Sequence, residues 1–202
     1  VLGMVPLLKD SEYSVEQIVR KSPRSVIAER YKSLRTAVLL SSPDAAPRTL
    51  LISSMNPSTG KTVTAANMAV TLAQSERRVL VIDADMRRPR LHQIFGIAND
   101  SGLSTWLAGQ SEMVIHEDSE LPFLHLMPAG PVPPNPSELL ISSRLETTLQ
   151  EMRETYDYVI IDSPPMMNVT DANLISKVVD QTLLVIRSGV STYESLHRGE
   201  KM

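Results

Sequence analysis

Five short runs of this sequence are almost unbroken in apolar residues: "RTLLISS" (48–54), "RVLVIDAD" (78–85), "FLHLMPA" (123–129), "YDYVIID" (156–162) and "QTLLVIR" (181–187). A strand with one wet face alternates polar and apolar residues. A run without alternation suits a strand buried on both faces, the situation of a parallel sheet covered by helices. The stretches between the runs carry helical patterns over 23–40, 61–75, 102–109, 136–154, 170–179 and from 191 onward. This alternation predicts an α/β fold, a mostly parallel sheet flanked by helices on both faces and joined by right-handed crossovers. Such sheets bind ligands at the carboxyl ends of their strands, so residues with chemical capability are expected there. Two proline-rich stretches, "SSPDAAPR" (41–48) and "MPAGPVPPNPSE" (127–138), read as loops, because proline removes a donor and fixes φ.

The first apolar run leads into "SSMNPSTGKT" (53–62), which ends as a phosphate-binding loop ends, in Gly60-Lys61-Thr62, but has Met55 in the slot of the usual first glycine. Strand before and helix after are the context such a loop requires. Its backbone N–H groups and the helix N-terminus offer positive potential to phosphate oxygens. In that setting Gly60 permits close approach, Lys61 reaches the β- and γ-phosphates and Thr62 ligates Mg²⁺. The competing reading is a GKT that merely opens a helix, so the loop alone does not decide between them.

Acids at two other strand ends do. Asp83 and Asp85 close the second run, and Asp162 closes the fourth, both after apolar residues. A carboxylate at the tip of a buried strand is costly unless it is paired or binds a cation. Asp83 and Asp162 are placed to hold Mg²⁺, directly or through water, and Asp83 or Asp85 to orient or deprotonate an attacking hydroxyl. One such acid is commonly a turn or helix cap; two of them, in order with a GKT, make the loop a nucleotide site.

Composition narrows the partners. The net charge of -3 argues against a generic nucleic-acid binder, and the absence of cysteine excludes disulfides and thiolate metal sites. The four histidines, His92, His116, His125 and His197, are scattered without metal-ligand spacing. Length fits a single domain, with 1–47 as an N-terminal linker and helix and 48–202 as the nucleotide-binding core. The apolar start "VLGMVPLLKD" is far shorter than the ~20 residues of a membrane span.

Taken together these stretches resemble the bacterial tyrosine kinases of the polysaccharide co-polymerases, which control capsule and exopolysaccharide export. "IDADMRRP" is similar to that family's D-x-D-x-R motif, "VIIDSPP" to its D-x-x-P form of Walker B, and 56–62 to its x-P-x-x-G-K-[ST] loop. "AGPVPPNPSELLISS" (129–143), "ERYKSLRT" (29–36) and "VLGMVPLL" resemble further family segments. The resemblance implies a P-loop NTPase fold and an ATP-dependent protein-tyrosine kinase that autophosphorylates in trans. ATP or ADP with Mg²⁺ would bind through Asn56, Pro57, Ser58, Thr59, Gly60, Lys61 and Thr62, with Arg187 near the base. Lys61, Asp83, Asp85 and Asp162 would be catalytic, and Thr62, Asp83 and Asp162 would hold the metal. It also implies a homo-oligomeric ring closed through Glu29, Lys32 and Arg35. The partners would be a transmembrane co-polymerase part or activator and the tyrosine-rich tail of a neighbouring subunit. The place implied is the cytoplasmic side of the bacterial inner membrane. The rivals are a P-loop ATPase switch without kinase activity, which Asn56 disfavours because related partition and cell-division ATPases carry a lysine there, and a nucleotide-controlled scaffold setting polysaccharide chain length.

The sequence departs from the pattern in places. Ser58 stands where many members have glycine, so its backbone is expected to avoid positive φ, and Lys32 replaces an arginine. The family's last strand and tyrosine-rich tail have no counterpart before Met202, so the core reads as truncated. Tyr193 is either an acceptor or an ordinary helix-surface tyrosine, Tyr156 and Tyr158 are expected to be structural, and Trp106 a core anchor. Arg87 or Arg88 is read as touching phosphates or a neighbouring subunit, or as simply solvated.

Overall fold

The computed structural model describes residues 1–6, 14–42, 45–167 and 169–191. After a 3-10 turn at Val15–Gln17 come α1 (Ile18–Lys21), α2 (Val26–Leu39), β1 (Thr49–Ser54), α3 (Lys61–Ala73), β2 (Val79–Asp83), α4 (Leu91–Phe95) and α5 (Leu103–Leu107). There follow β3 (His116–Glu117), β4 (Leu124–Met127), α6 (Pro136–Ile141), α7 (Ser143–Thr155), β5 (Tyr158–Asp162), α8 (Asp171–Ser176) and β6 (Gln181–Val185). The strands form one sheet in the order β3-β4-β2-β5-β1-β6, parallel except for the antiparallel β3–β4 pair.

The five apolar runs become the five parallel strands, and side-chain alternation explains why their central positions are apolar on both faces. Along β1, Leu50 and Ile52 point into a core shared with α1, α2 and α3, while Leu51 points into a second core shared with α5, α6, α7 and α8. Along β2, Val79 and Val81 join the first core and Leu80 and Ile82 the second. Both faces of these central strands are therefore dry, as continuous apolar runs require, whereas β6 at the sheet edge is only half-buried.

Helix α3 lies between the sheet and the N-terminal helices and is buried on nearly every side. Its alanines, Ala65, Ala66, Ala69 and Ala73, allow that close packing. Helix α2 is capped by Ser25, whose side chain accepts from the Ala28 N–H, and it buries Ile27, Ala28, Tyr31, Leu34 and Val38, the spacing of one helical stripe. The segment before it is tied down by Asn67 of α3. That buried amide accepts from Val19 N–H (3.1 Å) and donates to the Val15 carbonyl (3.0 Å) and the Val63 carbonyl (2.9 Å). Helix α2 thus docks on the core rather than projecting from it.

The structure corrects several expected elements. The helix expected over 136–154 is two, broken at Ser142, whose extended backbone (φ -64°, ψ 142°) ends one helix and precedes the next. The two-residue edge strand β3 and the short helices α1 and α4 carry too few residues for a readable period. The helix expected from 191 onward, Tyr13, Tyr193 and His197 lie outside the described residues, as does part of the apolar N-terminal segment.

Candidate active site

The predicted chemistry gathers at the carboxyl edge of the sheet. Asp83 and Asp162 are the last residues of β2 and β5, neighbours in register, and β5 also pairs with β1, which leads into the phosphate loop. Three strand tips thus bring Lys61, Asp83, Asp85 and Asp162 together.

Residue Met55, in the slot of the missing glycine, is fully buried and packs with Met166 and Ala172. Met166 N–H also donates to the Ser54 carbonyl at 2.8 Å. The loop's entrance is therefore anchored by a side chain to the segment that follows Asp162. Within the loop Ser54 and Thr59 both donate their hydroxyls to the Asn56 carbonyl (2.8 and 3.3 Å). Gly60 has φ 97°, and Ser58 has φ 58°. The expectation that Ser58 avoids positive φ is thus overturned. A loop that turns successive N–H groups inward needs left-handed residues, and Ser58 adopts one despite its Cβ. Arg187, just past β6, donates to the Ser58 carbonyl at 3.2 Å. It reaches the phosphate loop itself.

The Lys61 ammonium sits 2.8 Å from Asp85 Oδ2 and 3.8 Å from Asp162 Oδ1; both carboxylates are buried and the lysine nearly so. Burial pulls Lys61 down, but Asp162 and Asp85 outweigh it and hold the lysine above its ordinary value. Asp85 also accepts from Arg88 N–H at 3.1 Å, turning the chain after β2. Asp83 is fully buried and accepts three backbone N–H groups, from Asp85, Arg90 and Leu91 (3.2, 2.9 and 2.9 Å), so it caps the start of α4. Burial and the facing Asp162 carboxylate still push Asp83 up to about 7. Asp162 is pushed to about 6 by burial, with nearby Lys61 and Thr62 acting in the opposite sense. Its Oδ1 is buried and has no hydrogen-bond partner.

Above these groups lies a cleft of about 460 Å³ lined by Pro57, Ser58, Gly60, Lys61, Thr62, Asp85, Arg88, Arg90, Pro164 and Pro165 among others. Asp85 faces the cleft; Asp83 and Asp162 lie beneath its floor. Asp162 Oδ1, buried without a hydrogen-bond partner, and the Thr62 hydroxyl at the phosphate loop are hard-oxygen donors of the kind Mg²⁺ takes. Among the described residues no group of three or more His, Cys, Asp or Glu is arranged to hold a metal ion by itself.

A family described as "AAA domain" matches residues 48–197. CapB of Staphylococcus aureus is 38% identical over 171 residues, which cover 83% of this chain and 74% of CapB. The tyrosine-protein kinase YwqD of Bacillus subtilis is 37% identical over 186 residues, 91% of this chain and 78% of YwqD. The solved kinase domain of the Escherichia coli tyrosine kinase ETK superposes with a TM-score of 0.91 at 32% identity, over 100% of this chain and 83% of that one. The chain belongs to the bacterial tyrosine-protein kinases of the capsule and exopolysaccharide type.

In this kinase the helix motif is partly spent inside the chain. Glu29 and Lys32 pair with each other at 2.7 Å on the exposed side of α2, and Lys32 also donates to the Pro23 carbonyl (3.0 Å). Arg35 instead crosses to α3 and donates to the Thr71 carbonyl at 2.7 Å and to Ser75 Oγ. Arg87 and Arg88, either of them read from sequence as a phosphate or neighbour contact or as solvated, are both exposed and line the cleft, and Arg87 forms a bidentate pair with buried Asp171 (2.8 and 3.2 Å). Asp171 and Met55 were not singled out by sequence reasoning. Asp171 opens a short helix with no motif around it, and Met55 read only as an absent glycine. Tyr156 is buried, and Trp106 is half-buried with its indole N–H on Thr148 (2.9 Å) and Arg144 stacked on its ring; both are structural, as expected. No described helix is long and apolar enough to cross a membrane.

Proposed function

We propose that this cleft binds ATP with Mg²⁺ and transfers the γ-phosphoryl group to a tyrosine hydroxyl, with Asp85 as the base. The observation that carries this reading is the position of Lys61 between Asp85 and Asp162, with Asp85 alone of the three acids facing the cleft. Lys61 exchanges Asp85 for phosphate oxygens when nucleotide enters, and stabilises the charge that spreads over the transferred group. The exchange frees the Asp85 carboxylate to accept the tyrosine proton. A bond forms from the tyrosine oxygen to phosphorus as the bond to the β-phosphate oxygen breaks, and ADP leaves. Thr62 and Asp162 would hold the Mg²⁺, which neutralises phosphate charge. Asp83, its oxygens occupied by backbone N–H groups, positions the turn that presents Asp85. Asn56, Pro57, Ser58, Thr59 and Gly60 supply the backbone cradle, and Arg187 steadies its strained Ser58.

The finer biological setting follows the same reading. The kinase works as the cytoplasmic part of a membrane-attached polysaccharide co-polymerase, or beside a separate membrane activator. It assembles through the exposed Glu29–Lys32 side of α2 and phosphorylates the tyrosine-rich tail of a neighbouring copy. Titration with a fluorescent ATP analogue tests the site. Wild-type binding should tighten at least tenfold with Mg²⁺, and Thr62→Ala should lose that dependence. Equal Mg²⁺ dependence in both would exclude the assigned metal site.

A further inference from the structure

The segment "PNPSELL" (134–140) carries no role in the site described above, yet its Ser137 is wired to it. Ser137 Oγ donates to Asp171 Oδ1 at 2.6 Å, and Arg87 Nη2 donates to Ser137 Oγ at 3.1 Å. Arg87 grips both Asp171 oxygens through Nε and Nη2. Asp171 is fully buried, whereas the Arg87 side chain is 37% exposed. The three residues come from three separate places: Arg87 from the turn two residues after Asp85, Ser137 from the start of α6, and Asp171 from the start of α8.

What these elements carry gives the network its meaning. The turn before Arg87 presents Asp85 to Lys61. The segment that ends at Asp171 starts at Asp162, and its Pro164, Pro165 and Val169 line the same cleft. The Arg87–Asp171 pair therefore ties together the two loops that bring their carboxylates to Lys61. A planar guanidinium held at two oxygens fixes direction as well as distance, which a lysine does not. Arg87 also lines the cleft, and it commits its Nε and Nη2 to this pair and to Ser137, which holds the two loops together.

We propose that Asp171 and Ser137 are positioning residues for phosphoryl transfer: through Arg87 they set the separation of Asp85 and Asp162 around Lys61. This rests on the roles of Lys61 and Asp85 proposed above. Misplacement of a reacting group by a fraction of an ångström to one ångström lowers turnover far more than it lowers binding. The test is steady-state phosphorylation of a tyrosine-bearing peptide with Mg²⁺-ATP by the full chain and by Ser137→Ala, Ser137→Thr, Asp171→Asn and Lys61→Met. Expected is a fall in kcat of about tenfold or more for Asp171→Asn and a smaller fall for Ser137→Ala. KM for ATP should stay within about twofold, and Ser137→Thr should restore the rate. Unfolding midpoints measured alongside guard against a folding defect, and Ser137→Ala, which leaves the ion pair intact, keeps the test valid if Asp171→Asn does not fold. Wild-type kcat in Ser137→Ala and in folded Asp171→Asn, with Lys61→Met inactive, overturns this inference alone. An active Lys61→Met overturns the proposed site instead.

Discussion

Replacing Asp162 with asparagine should make the chain more stable at neutral pH while removing its activity. Asp162 is 1% exposed, and its carboxyl is pushed from an ordinary 3.8 to about 6. A raised acid destabilises the folded state in its charged form. The unfolded chain releases the proton at lower pH than the folded one, so stability is full below about pH 4 and is lost as pH rises through about 6. The difference is roughly two units, or about 3 kcal/mol at pH 8 as an upper bound. Asparagine has nearly the same shape and never charges, so it escapes this loss. Urea unfolding without nucleotide or Mg²⁺, at intervals from pH 4.5 to 8, should show Asp162→Asn gaining about 1–3 kcal/mol at pH 8, and the gap closing towards pH 4.5. That gain corresponds to a rise of several degrees in Tm for a chain of this size. A variant less stable than wild type at pH 8, or a difference that does not change with pH, would show that ionised Asp162 does not destabilise the fold.

Two further outcomes follow from local geometry. Ser58→Gly should leave stability within about 1 kcal/mol, because relief of left-handed strain offsets the extra freedom of glycine when unfolded. Ser58→Val should instead destabilise by about 2 kcal/mol, and equal effects in chemical denaturation would contradict the positive φ. Asn67→Ala removes the amide that holds Val15, Val19 and Val63, so it should cost about 2–3 kcal/mol and speed hydrogen exchange in 15–21. Unchanged exchange there would show that the clamp does not hold the segment.

What could be read from the sequence was whatever leaves a local imprint. A strand covered on both faces is mostly apolar along its length, so the five parallel strands were legible, and the acids ending two of them stood out against apolar neighbours. What could not be read depends on contacts far along the chain. Arg87 meets Asp171 across 84 positions and Ser137 across 50, and nothing local marks any of them as partners. Ser58 was misread because the serine's Cβ argued against a conformation that the loop's inward-facing N–H groups demand. Helix α7 was merged with α6 because a serine pair breaks no hydrophobic period; only the extended backbone at Ser142 does. Met55 shows the opposite error: a departure at a motif position was an anchor to the Met166 cluster.

The claim that matters most is that Lys61 stabilises the phosphoryl group moving to tyrosine. Phosphotyrosine formation with Mg²⁺-ATP, measured for Lys61→Met against the unaltered chain under conditions where both are shown to be folded, addresses it directly. The account predicts loss of transfer by a factor of about a thousand or more, the scale of removing a cation that neutralises this transition state. Transfer at the unaltered rate by a folded Lys61→Met chain would contradict it.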